Sequence, residues 1–237
     1  MKKQTPVKNK KRKVAVFDID GTIFRSSLLI EIVEALIDGG CFKPSVREKY
    51  IHQHERWLDR KGDYDSYIMA MVRVFEKNIV GVHKSEFDAI AKIVIKRQHD
   101  RLYIFTSNLI KEFKAKGYFL LAISQSPKAI LGGFCKKLGF DKVYGRLYEV
   151  GTDGKFTGRI IDEPVIAVKS NILKRAVERR NLTLKGSVGV GDTEGDISVL
   201  EMVENPICFN PNAKLYKHAK KKKWEIVVER KDVIYEL

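Results

Sequence analysis

Two aspartates one residue apart, Asp18 and Asp20, stand directly after the all-apolar run Val14-Ala15-Val16-Phe17 and enclose the turn into Gly21-Thr22. A short run without polar alternation fits a strand covered on both faces, the kind found in parallel sheets flanked by helices. The chain therefore leads two carboxylates out of a buried strand. In open α/β sheets the ligand crevice lies at the carboxyl ends of the strands, so both would project into it. A buried unpaired carboxylate is costly, and two close together repel unless a cation or a shared proton intervenes. The spacing suggests a metal and an acid/base pair.

Downstream, the texture turns helical from about residue 25 to 105. Leu28, Leu29, Ile32, Val33, Leu36 and Ile37 recur at helical spacing and stop at Gly39-Gly40, which suit a helix end. Pro44 opens a predicted second helix, a third runs from Tyr64 to Val80, and a fourth from Phe87 to Ile95. Tyr50, His54, Trp57, Tyr64 and Tyr67 form an aromatic stripe that reads as packing more than as cleft, and His52 and His54 face different ways on a helix and read as surface. Helix and strand then alternate. Helices are predicted over 107–116, to Leu138 and over 168–180, strands over 118–123, 187–190, 206–209 and 225–228, and a hairpin around Gly151-Thr-Asp-Gly154. Alternation of this kind predicts an α/β fold with a mostly parallel sheet and right-handed crossovers. The expected organisation is a tail over 1–13, a core from 14–24 and 106–237, and a helical insertion over 25–105.

At 237 residues the chain is long enough to bury a proper core. Its net charge of +15 is unevenly spread. Seven lysines and arginines precede the first strand with no acid among them, and Lys220 to Lys223 form a second basic run. Such blocks can touch RNA or anionic membrane weakly, or remain solvated. The absence of an apolar segment behind the basic start argues against a secretory signal and for the cytoplasm. Cys41, Cys135 and Cys208 are too widely spaced for a disulfide framework or a zinc site.

Three more polar sites fall at predicted strand ends or helix starts: Ser124, Lys169, and the string Gly191-Asp192-Thr193-Glu194-Gly195-Asp196. With the Asp-Ile-Asp-Gly-Thr string, this order resembles the haloacid dehalogenase superfamily, and within it the phosphoserine-phosphatase-like branch. The resemblance covers essentially everything after residue 13, including the place of the helical insertion. It implies a Rossmann-like core with an inserted cap of the C1 type, Mg2+ as cofactor, and hydrolysis of a small phosphorylated metabolite through an aspartyl-phosphate.

The same resemblance implies the roles. Asp18 is expected to be the nucleophile and Asp20 the general acid and base; Lys169 supplies fixed positive charge. Asp18, Asp20 (through its backbone carbonyl), Asp192 and Asp196 are expected around the magnesium, with Asp196 supporting the metal, its water or Lys169. Ser124, Gln125, Thr22 and Arg25 are expected to bind substrate. Family members acting on carbon and halogen lack the second aspartate, so Asp20 favours phosphate chemistry. Phosphoserine phosphatases usually carry a glutamate after the first motif and an asparagine before the last aspartate. Here Arg25-Ser26-Ser27 and Gly195 fill those neighbourhoods, which disfavours phosphoserine itself. A phosphotransferase using the same intermediate, and a basic RNA- or membrane-binding protein with a vestigial site, remain alternatives.

Overall fold

Strand β1 (Arg12–Phe17) lies at the centre of the sheet, in a computed structural model that describes residues 11–161 and 167–237. It is flanked on one side by β2 (Phe119–Pro127), β3 (Lys142–Val150) and β4 (Phe156–Ile161). On the other side lie β5 (Leu182–Gly191), β6 (Asn205–Phe209), β7 (Glu225–Arg230) and β8 (Val233–Glu236), giving the order β4-β3-β2-β1-β5-β6-β7-β8. Pairing is parallel from β3 through β7 and antiparallel only at the two edges. The β1 side chains divide as the pleat dictates. Ala15 and Phe17 join one apolar cluster, Val14 and Val16 the other. Both faces are thus covered, which is why the run contains no polar residue.

The segment between β1 and β2 carries α1 (Leu28–Asp38), a 3-10 turn (Pro44–Lys49), α2 (Ile51–Leu58), α3 (Tyr64–Asn78), α4 (Lys84–Gln98) and α5 (Ile104–Ala115). It departs and returns at one place: Phe24 bridges Leu102, and Tyr103 N–H donates to Ile23 O at 3.0 Å. The expected boundary at 105 therefore falls inside α5. That helix begins earlier than its own sequence suggests because Glu229, far away in β7, accepts hydrogen bonds from Ile104 N–H (3.0 Å) and Phe105 N–H (2.9 Å). Such a long-range cap satisfies the orphan donors of a first turn but leaves no local signature.

The helical insertion shares its core with the sheet. Phe75 meets Phe87 and Tyr148, Phe87 meets Phe156, and Phe24 meets Phe134 edge to face. Between α3 and α4 the backbone docks onto the β3–β4 hairpin: Gly81 N–H donates to Phe156 O (2.9 Å), Phe156 N–H to Val82 O (3.0 Å) and Lys84 N–H to Gly154 O (2.9 Å).

After β2 come α6 (Lys128–Leu138), ending at Gly139 with φ +81°, then α7 (Lys169–Arg179), a short α8 (Ile197–Leu200) and α9 (Ala213–Lys222). Helix α9 takes up most of the second basic run. Lys220, Lys221 and Lys222 form its last turn, where positive charge complements the exposed carbonyls, and Lys222 lies 3.5 Å from Glu201. At the other end, β1 starts at Arg12, so Arg12 and Lys13 belong to the sheet instead of the expected tail; residues 1–10 of that tail lie outside the described residues. The edge strand β8 was not foreseen, since its turn rests on Lys231 adopting a positive φ of 55°.

The shared core makes two predictions. Phe134→Ala should cost about 3–5 kcal/mol in urea unfolding, because a fully buried ring is removed from a contact it cannot refill. Single-tryptophan variants reporting on Trp57 in the insertion and Trp224 beside the sheet should unfold at coincident urea midpoints.

Candidate active site

Asp18 is the first residue beyond β1, and its backbone N–H donates to Val190 O of β5 at 2.9 Å, which fixes the turn where two parallel strands end. Lys169 opens α7 and is 7% exposed; its Nζ lies 2.5 Å from Asp18 Oδ1 and 2.5 Å from Asp196 Oδ1. The second oxygen of Asp196 accepts from Asp192 N–H and Thr193 N–H, both at 3.1 Å, and from Thr193 Oγ at 3.3 Å. Asp196 therefore closes the loop after β5 upon itself and at the same time holds Lys169. Gly191 is required there, because a Cβ would come within 2.5 Å of Asp196 Cβ. Asp192 is oriented by Thr22 Oγ at 3.2 Å.

Asp18, Asp192 and Asp196 each bring a carboxylate oxygen within 4.8 Å of the others. Burial pushes the Asp18 and Asp192 carboxyls up, and the neighbouring carboxylates add to it, against the pull of Lys169. Burial alone would discharge Lys169, but Asp18 and Asp196 outweigh it and hold the ammonium above the usual lysine range. Three carboxylates thus face one ammonium. The set falls two positive charges short, and hard oxygen donors so arranged suit a divalent cation such as magnesium.

Asp20 is directed elsewhere. One of its oxygens accepts from Leu28 N–H at the start of α1 (2.6 Å); the other accepts from Ser124 Oγ (2.5 Å) and Ser126 Oγ (2.9 Å). Among the expected metal residues the Asp20 carboxylate alone lies outside the cluster, only its backbone carbonyl having been expected at the ion. Ser124 Oγ also accepts from Ser126 N–H at 2.9 Å. The two serines are fully or nearly fully buried, and both address Asp20.

The remaining expected residues divide. Thr22 is completely buried, and its hydroxyl donates to Asp192. Gln125 Oε1 accepts from Arg146 Nε at 3.1 Å, and Arg146 pairs with Glu76 of α3 at 2.7 Å, so a core strand end is tied to the insertion. Arg25 is exposed, its guanidinium over the Tyr103 ring. In the aromatic stripe Tyr50 and Tyr67 are core, and Trp57 stacks on Tyr67 at 5.8 Å. His54 is not a plain surface residue, since its ring lies 4.8 Å from Tyr67. Tyr64, 37% exposed at the start of α3, behaves differently. Burial and then the negative charge of Asp20 and Asp192 raise its hydroxyl pKa, and its ring meets Trp57 edge to face at 5.3 Å. Ser126 and Asn212 are residues whose part in the site the sequence reading missed. Ser126 stands just before α6, where a serine is most often a helix cap, and Asn212, whose N–H donates to Asp192 O at 2.8 Å, lies sixteen residues beyond the last motif aspartate.

Residues 15–201 match the haloacid dehalogenase-like hydrolases as a family, a span well over half of the chain. The chain belongs to that family. Among curated relatives, the histidinol-phosphatase of Neisseria meningitidis is 24% identical, with 91% of this chain and 98% of the relative aligned. The phosphoserine phosphatase of Methanocaldococcus jannaschii is also 24% identical, over 94% and 95%. Among solved structures, a Bordetella pertussis protein of unknown function superposes with a TM-score of 0.73 at 18% identity, covering 92% of this chain and 98% of that one. A substrate-bound phosphoserine phosphatase gives 0.63 at 23%, covering 94% and 95%. As a haloacid dehalogenase-like hydrolase, the protein sits with the phosphoserine-phosphatase-like phosphatases of the family.

Gly21, with φ +82°, leaves no room for a side chain, since a Cβ would run into Asp192 Oδ2. Gly21→Ala should therefore destabilise the fold by about 2 kcal/mol, lowering Tm by roughly 4–8 °C in a thermal melt.

Proposed function

We propose that the protein is a magnesium-dependent phosphomonoester hydrolase that works through an aspartyl-phosphate on Asp18 and acts on a small phosphorylated metabolite. The observation that carries this reading is Lys169 bridging Asp18 and Asp196 at 2.5 Å each, with Asp192 completing a carboxylate set that lacks two positive charges. Asp18 and Asp192 would hold the ion, supported by the backbone near Asp20, while Asp196 serves mainly to hold Lys169 and the loop. When bound, magnesium supplies charge neutralisation that lets an anionic phosphate approach an anionic nucleophile.

The chain's own groups account for the rest. Asp18 attacks phosphorus and forms an acyl phosphate, so that one difficult hydrolysis becomes two easier steps. Lys169, fixed by two carboxylates, does not need to reorganise as negative charge spreads over the transferred oxygens. Asp20 gives a proton to the leaving oxygen and takes one from the incoming water. Its partners Ser124 and Ser126 suit both states, because a hydroxyl can donate to the carboxylate and accept from the acid. The full-length similarity to a histidinol-phosphatase and a phosphoserine phosphatase supports the same reaction class.

Asp18→Asn should abolish release of phosphate from p-nitrophenyl phosphate in magnesium buffer, and full turnover would refute the nucleophile assignment. Magnesium should raise the Tm of the wild-type protein by mass action, and Asp192→Asn should remove most of that shift in the same calorimetric titration.

A further inference from the structure

The transferred phosphoryl group is provided for, but the rest of the substrate must also meet something, and the rim of the crevice offers one group suited to it. The turn after Asp20 is tightly folded: Gly21 N–H is shared between the carbonyls of Phe24 (3.0 Å) and Ser26 (3.2 Å), and Arg25 N–H donates to Arg101 O at 2.9 Å. This turn holds Arg25 within five residues of the acid and base. The exposed guanidinium has its carbon 5.6 Å from the centroid of the Tyr103 ring, a cation–π placement. Tyr103 in turn meets Phe209 at the end of β6 edge to face at 4.9 Å, three residues before Asn212 donates its N–H to Asp192 O, and Thr22 of the same turn as Arg25 reaches the Asp192 carboxylate, so the Arg25–Tyr103 pair stands beside the loop that carries Asp192. Arg47, Arg101 and Arg146 all pair with carboxylates. Among the described residues no carboxylate lies within ion-pair distance of Arg25.

The complementary feature is an acid that is already engaged. Glu31 is the first acid after the catalytic turn and the natural partner for a substrate ammonium. It accepts instead from Ser26 Oγ (2.9 Å), Gln98 Nε2 (2.6 Å) and Arg101 (3.3 Å). An amine-bearing substrate would find that carboxylate occupied by protein donors and a guanidinium close by. A carboxylate would find a planar fork of donors matched to its two oxygens.

Building on the phosphomonoesterase reading, we propose that Arg25, stacked on Tyr103, selects phosphomonoesters whose organic part carries a carboxylate over those that carry an amine. Arg25 is then a specificity residue that binds the far end of the substrate, not a participant in phosphoryl transfer.

The test is kcat/KM for three substrates of similar size, 3-phosphoglycerate, n-propyl phosphate and phosphoethanolamine, with the wild type, Arg25→Ala and Arg25→Glu. Thermal melts show that each variant is folded. The wild type should prefer the carboxylate over the neutral ester and the neutral ester over the amine. In Arg25→Ala the ratio of carboxylate to neutral ester should fall by about 10-fold, mainly through KM, as expected for losing one charge-assisted contact. Arg25→Glu should reverse the order of carboxylate and amine. An unchanged ratio in Arg25→Ala, or a wild-type preference for phosphoethanolamine, would overturn the proposal. Hydrolysis of p-nitrophenyl phosphate without any preference for the carboxylate would overturn it while leaving the phosphomonoesterase reading standing. Failure to hydrolyse any of these esters would overturn both.

Discussion

Charge balance at the end of β1 is the constraint on which the rest of the structure turns. Burying three carboxylates around one ammonium is unfavourable unless every remaining lone pair is used and further positive charge is supplied. Local hydrogen bonds go part of the way to the first condition: both oxygens of Asp196 are engaged, Thr22 supports Asp192, and Asp20 is drawn away by Leu28 N–H and two serines. The second condition gives the site its chemistry. A pocket short of positive charge suits a cation, and on the function proposed above that cation would admit a phosphate dianion that the bare carboxylates would repel.

The parallel sheet makes this arrangement possible at little cost in backbone order. Asp18, Ser124 and Asp192 come from three neighbouring strands, each leaving the sheet at the same edge, so residues more than a hundred positions apart meet without a long loop. Glycines sit where close approach demands them: Gly21 under Asp192, Gly191 against Asp196. Stability and function are coupled here in a direct way. The hydrogen bonds that hold the loop after β5 also aim Lys169.

Much of this was legible in the amino-acid string, for identifiable reasons. An unbroken apolar strand followed by Asp-x-Asp marks both the sheet centre and the site, and helical spacing from Leu28 to Ile37 predicts α1 almost to the residue. What escaped depends on partners distant in sequence. Helix α5 starts early because of Glu229, Ser126 Oγ donates to Asp20 from a strand far along the chain, and Thr22 Oγ reaches Asp192 at the end of another strand. The aromatic stripe was ambiguous for a related reason. Helical spacing assigns Tyr67 and Tyr64 to a common side, yet one is sealed in the core and the other, a turn earlier at the helix start, is exposed.

The docking of the α3–α4 turn onto the β3–β4 hairpin limits how the crevice can admit a molecule. Swinging the entire insertion outward would tear the backbone links of Gly81, Val82 and Lys84 to the hairpin and bring Phe87 and Phe156 into water. Helix α2 carries no such anchor, since none of its residues is fully buried. It meets α3 through side chains instead, Trp57 and His54 against Tyr67, so the hairpin side of the insertion is the more firmly held.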